Sequence, residues 1–400
     1  LGRGKEFYAM KTPYLFALAS LAAAVPAQTG GDKSFFGIFA ETRSMRIMGM
    51  KPRKMPNLPP GIKLPAAAKA MMSQAPTRSL TVRLWAPMIA PDGATAVLHP
   101  PSNLQQGDSM NLDLFRPKPA EPGGGGGTNS PGGSSDSNQD FTIKIYWGSS
   151  ATVQAGQPKV FSLGTMTMDQ KMEMGRRMRG MNPAGLMGGG PGGGVGGNYF
   201  YKDGWTTGYW PTESQPGDIP DEATLPGTYT LNTSFAGNVS IDAPSNVDFL
   251  APIELTSPDL GTKPNMAEAI SYQWNAIPNA LGEFATMMGM EGKNTLILWS
   301  SSEVYVEQLM ADMGYLQMAE VNNMVNQKVF MPGSSTSATV PAGIFQNCDF
   351  AMFNMVGYGP GTAKDDGVPV PRIQTKTTLN VMFPLKRSNR GGPPQGGDGG

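Results

Sequence analysis

The chain has 400 residues, with 31 basic and 31 acidic side chains, one histidine, one cysteine and 28 methionines. Zero net charge excludes a general attraction to nucleic acid. The single cysteine excludes an internal disulfide framework or a CxxC site, and the single histidine excludes HExxH zinc helices and multi-histidine metal clusters.

In chain order, the first element is a leader. Met10-Lys11, the apolar run Thr12 to Ala24 and the small residues ahead of Gln28 make the pattern of a secretory signal peptide. The run falls short of the ~20 residues a bilayer span requires. The expectation is an exported protein, secreted or periplasmic, cleaved after Ala27, with residues 1–9 as translated leader ahead of Met10. No cysteine follows the leader, so no lipid anchor is expected there.

Residues 28–78 read as a basic, Pro-rich linker. From Arg43 to Arg83 there are nine basic residues and no acidic one, and Lys51-Pro52, Met55-Pro56 and Leu58-Pro59-Pro60 oppose helix and sheet alike. Thereafter the dominant period is two. Leu80, Val82 and Leu84 alternate with Thr81 and Arg83; Met110, Leu112 and Leu114 with Asn111 and Asp113; Phe141, Ile143, Ile145 and Trp147 with Thr142, Lys144 and Tyr146. Near the end, Ile373, Thr375, Thr377, Leu379, Val381 and Phe383 alternate with Arg372, Gln374, Lys376, Thr378 and Asn380. Antiparallel sheet with one buried and one wetted face has this pattern.

Asp203-Gly204 between Tyr199–Lys202 and Trp205–Trp210 predicts a tight hairpin, and Glu291-Gly292 a looser one. Helix is scarce: one candidate starts at Ser302 as N-cap, and Met318 to Gln327 is a second. Residues 118–139, 180–198 and 386–400 are Gly-, Ser- or Pro-rich with too little apolar surface to offset ordering, and read as flexible inserts and a disordered tail. The chain is therefore expected to be all-β, with two β-sandwich-like domains at 79–256 and 257–385. Ile145 to Ser150 echoes Ile297 to Ser302, as a duplicated sandwich would.

Chemical motifs are few. His99 precedes Pro100-Pro101 and has no Gly-x-Ser-x-Gly elbow to accompany it. The Gly123–Gly127 tract lacks the Gly-Lys-Ser/Thr of a phosphate cradle. Asp221-Glu222 and Asp365-Asp366 sit in Pro/Gly turns, where adjacent carboxylates serve turn geometry and solubility. Cys348 reads as a small buried residue.

Two constellations remain. Met166, Met168, Met172, Met174, Met178 and Met181 crowd one stretch, and thioethers suit Cu(I), although Arg176, Arg177 and Arg179 oppose a cation there. Trp205, Tyr209 and Trp210 are candidates for a binding surface, with burial as core the alternative.

Pro252-Ile253 through Ser257-Pro258, Tyr272-Gln273-Trp274-Asn275 and Pro278-Asn279-Ala280 resemble the opening of a fibronectin-III-like module. That resemblance implies a Trp filling the core from the second strand. Gly282-Glu283-Phe284 stands where such modules carry a tyrosine. Gly208 to Pro211 and Pro341 to Phe345 also look like stretches of uncharacterised secreted bacterial β-proteins, which implies export and a β fold but no activity.

The expectation is an exported, non-catalytic binding or structural envelope protein without a cofactor, its partner a protein or glycan of the cell envelope. The alternatives are Cu(I) capture by the Met-rich segment and a secreted hydrolase with paired carboxylates.

Overall fold

A computed structural model describes residues 33–49, 74–116, 141–162, 164, 204–213, 215–306 and 314–384, and the fold is all-β. In chain order the strands begin with β1 (Phe35–Ile47), β2 (Thr77–Ala86), β3 (Ala96–His99), β4 (Met110–Asn111) and β5 (Asp113–Phe115). Next come β6 (Thr142–Trp147), β7 (Lys159–Ser162), β8 (Thr206–Trp210), β9 (Gly217–Ile219), β10 (Gly227–Thr233), β11 (Val239–Ala243) and β12 (Leu255–Ser257). The remainder are β13 (Ile270–Trp274), β14 (Gly282–Glu291), β15 (Thr295–Ser300), β16 (Met331–Pro332), β17 (Ser337–Val340), β18 (Phe350–Tyr358), β19 (Thr362–Ala363) and β20 (Val370–Pro384). A helix, α1, spans Met318–Asn326.

Thirteen strands form one sheet whose main path runs β5-β8-β2-β1-β20-β18-β14-β15-β6-β7. β1 pairs antiparallel with β2 and parallel with β20, in the register Ile38↔Val82 and Ile38↔Ile373. This strand falls inside the segment expected to be a linker. Its first eight residues are buried on both faces, so Phe35 to Thr42 shows no alternation for a period-two reading to find.

One face of the large sheet carries two cores. In the first, Phe36, Ile38 and Ala40 of β1, Leu80, Val82 and Leu84 of β2 and Ile373 of β20 meet Leu98, Tyr229, Leu231 and Ile241. Those four belong to a second sheet ordered β11-β10-β3-β4. In the second core, Met287, Trp299, Phe353, Met355, Leu379, Val381 and Phe383 meet Ile270, Tyr272, Trp274 and Val340 of a third sheet, β12-β13-β17. Tyr272 stacks on Phe353 across this gap with centroids 3.8 Å apart. Gly289 makes room there, because a Cβ on it would lie 2.7 Å from the Cys348 sulfur.

β20 lines both cores, so the two packed units share one continuous sheet. Strands from before and after residue 257 are neighbours in it: β6 pairs parallel with β15. That pairing places Trp147 opposite Ser300 and Tyr146 opposite Trp299. The two tryptophans of the repeated motif therefore project from opposite faces.

The Glu291-Gly292 hairpin forms, joining β14 to β15 with Glu291 opposite Thr295. Of the Asp203-Gly204 hairpin only Gly204 and the following arm are described, and that arm, β8, pairs with β2 and β5. Ser302 caps no helix among the described residues: its hydroxyl bonds the Val304 carbonyl at 2.8 Å in a bend. α1 matches the second predicted helix. Gln317 and Glu320 close a capping box at its start, and Gly282 leaves space for Val321 and Val325 to settle on the sheet.

Candidate functional site

The second face of the large sheet was expected to be wetted along β2 and β20. It is buried instead: Thr81, Arg83, Gln374, Lys376 and Thr378 all lie below 6% exposure. What covers part of it is the stretch from Gly314 to Pro332. Phe330 stacks on Tyr358 at 5.1 Å, and Tyr315 lies 4.8 Å from the Phe39 ring.

Beneath that cover runs a charged seam. The parallel register sets Glu41 opposite Lys376 and Arg43 opposite Thr378. Glu41 accepts from Arg43 Nε at 3.2 Å and Nη2 at 2.9 Å, and from the Thr378 hydroxyl at 2.6 Å. The Lys376 ammonium, fully buried, sits 4.4 Å from the Tyr315 ring centre. Burial alone would raise the Glu41 pKa, but the charges of Arg43 and Lys376 and these hydrogen bonds outweigh it and hold the carboxyl at about 2. An ionised carboxylate with both oxygens engaged is a poor proton carrier at neutral pH. It fixes strand register instead, because a slip of one residue would strand a buried charge.

Arg83 continues the seam toward the sheet edge. Its guanidinium donates to the carbonyls of Val82 and Glu213 at 3.0 and 2.8 Å and lies over the Tyr209 ring. Tyr209 is half-buried beside it, whereas Trp210 projects from the other face, packs on the first core and fills the space over Gly217. Trp205 is buried. The three candidate binding rings thus do not form one array.

A second feature of this face lies further along the strands. Cross-strand register aligns Ile47, Met382, Met352, Met288, Leu298 and Ile145 in one row over β1, β20, β18, β14, β15 and β6. Three thioethers therefore stand on three adjacent strands. Met288 and Met382 are half-buried and Met352 is 8% exposed.

The opposite face holds an isolated acid. Glu283 is fully buried and accepts from Trp274 Nε1 at 3.0 Å, while its Oε1 has no hydrogen-bond partner. Burial pushes its pKa up to about 8 against the opposing Trp274 hydrogen bond, so the carboxyl is mostly protonated at neutral pH.

The other sequence candidates are placed as follows. His99 is exposed at the end of β3, 3.0 Å from the Asp108 carbonyl. Asp221, Glu222, Asp365 and Asp366 are exposed. Cys348 is buried and its thiol is pushed up to about 12 by burial, with Glu291 and Asp349 adding to the shift. Met166, Met168, Met172, Met174, Met178 and Met181, and the cleavage position after Ala27, lie outside the described residues. Comparison with family models gives no match, and comparison with curated proteins gives no similar sequence.

Proposed function

We propose that this is an exported, non-catalytic binding or structural protein of the cell envelope. The observation that supports the reading is the continuous sheet: two cores on one face tie its described strands, from β1 to β20, into a single platform. Its buried ions serve register rather than proton transfer, as Glu41 illustrates. The leader supports export. Burial of Trp274 in the second core from β13 supports the likeness to a fibronectin-III-like module, which belongs to the same proposal.

The test is twofold. The full chain, expressed in a bacterium with its leader, is expected in the periplasm or medium with Gln28 at its N-terminus; retention of an uncleaved leader in the cytoplasm overturns export. Purified protein is expected to cosediment saturably with cell-wall glycan or with an envelope protein fraction, leaving both intact. Release of soluble sugar or peptide that tracks the protein through purification overturns the non-catalytic reading.

A further inference from the structure

We propose that Met288, Met352 and Met382 form a Cu(I) site on the second face of the large sheet. The site goes beyond the envelope-binding reading and stands or falls separately from it. The argument begins with register. Met382 faces Met352 across β20 and β18, and Met352 faces Met288 across β18 and β14. Neighbouring strands lie about 4.8 Å apart, and methionine has three rotatable bonds beyond its Cα. The outer two sulfurs can therefore lean toward the central one and enclose a small ion.

Ligand chemistry selects the metal. Neutral thioethers bind soft monovalent copper and discriminate against zinc, calcium and magnesium, which prefer imidazole, carboxylate or water. Two more thioethers stand one step away: Met290 is diagonal to Met352, and Met45 is diagonal to Met382. Among the described residues cationic competition is remote: the row itself meets a cation only at Lys159 of β7, opposite Ile145 and three strands from Met288. The row next toward the seam holds Asn380 and Asn354, hydrogen-bonded to each other at 2.6 Å. Arg43 lies a further row away and is bonded to Glu41. This differs from the sequence segment 166–181, where three arginines lie among the methionines. Met288 and Met382 are only partly buried, which gives the ion a way in, while Leu298, Ile145 and Ile47 border the row with apolar side chains and Met288 packs on the first two.

The experiment is anaerobic titration of the full chain with Cu(I) against a chromophoric competing chelator, with X-ray absorption on the loaded protein. Sulfur-only coordination is expected, with Ag(I) competing and Zn(II) not. Met288→Leu and Met382→Leu keep the apolar volume and should each weaken binding at least about tenfold, since loss of a direct ligand costs no less than loss of an outer-shell partner. The triple variant with Met352→Leu should lose the site while circular dichroism stays unchanged. Removal of residues 166–187 should leave this site intact. The proposal is overturned if the wild-type chain binds no Cu(I), if the triple variant binds within about twofold of wild type, or if the 166–187 deletion alone abolishes binding.

Discussion

Glu41 and Glu283 are both buried carboxyls on strands of the same sheet, yet one is ionised and the other neutral at pH 7. Glu41, on the seam face, has Arg43, Lys376 and Thr378 within reach and stays ionised with its pKa near 2. Glu283, on the core face, has one indole N–H and an unpartnered oxygen, and its pKa rises to about 8. Burial raises both; the number of opposing charges and donors decides the sign. One face of the sheet thus buries a compensated ion, and the other buries a neutral acid.

The largest expected effect comes from removing the compensation. Glu41→Ala leaves Arg43 and Lys376 in a covered face without their shared anion, and breaking a buried pair in this way costs about 3–5 kcal/mol. Urea unfolding at pH 7 measures it; a loss below about 1 kcal/mol, the range of exposed pairs, would show that the seam is open to water.

The pH dependence separates the two acids. For Glu283 the folded pKa lies above the ordinary 4.5, so the folded state holds a proton that the unfolded chain releases. Stability therefore falls as pH rises from about 4.5 through 8, by an amount on the order of 4 kcal/mol. In Glu283→Gln this slope should vanish. Glu41 has the reverse sign: its contribution is complete above 4.5 and is lost as pH falls toward 2, on the order of 3 kcal/mol. Stability curves from pH 2 to 9 on the wild type and Glu283→Gln test both, and identical slopes in the two proteins above pH 5 would remove the neutral-acid account.

How far the sequence shows this contrast depends on which face a residue occupies. The all-β class was legible from period-two runs such as Leu80–Leu84 and Ile373–Phe383, because their apolar members do line the cores. The Glu291-Gly292 hairpin was legible from its turn residues, and α1 falls on the second helical span, Met318 to Gln327, although its Gln317–Glu320 capping box was not read from the sequence. The seam was not. Thr81, Arg83, Lys376 and Thr378 occupy the polar half of an alternating pattern, and polarity along one chain cannot reveal that Gly314–Pro332 folds over it. β1 was hidden for the complementary reason: both of its faces are buried, and the prolines that follow it suggested a linker. The row of methionines is a product of register among β14, β18 and β20, and no one of those strands contains it.

Tyr315 tests the cover over the seam with the smallest expected effect. Its ring stands 4.4 Å from the Lys376 ammonium and 4.8 Å from Phe39. A ring face presents negative potential to a cation, worth about 0.5–2 kcal/mol depending on desolvation. Tyr315→Phe keeps that face and the Phe39 contact, so it should be nearly neutral. Tyr315→Leu keeps apolar volume but loses the ring, and should cost about 1–2 kcal/mol. The two variants separate ring electrostatics from simple packing: if Leu is tolerated as well as Phe, the Tyr315 ring adds nothing to holding the Lys376 charge and the cover contributes only exclusion of water. If Leu also makes Glu41→Ala less damaging than in the wild-type background, the anion and the ring act on the same ammonium, as a double-mutant cycle would register.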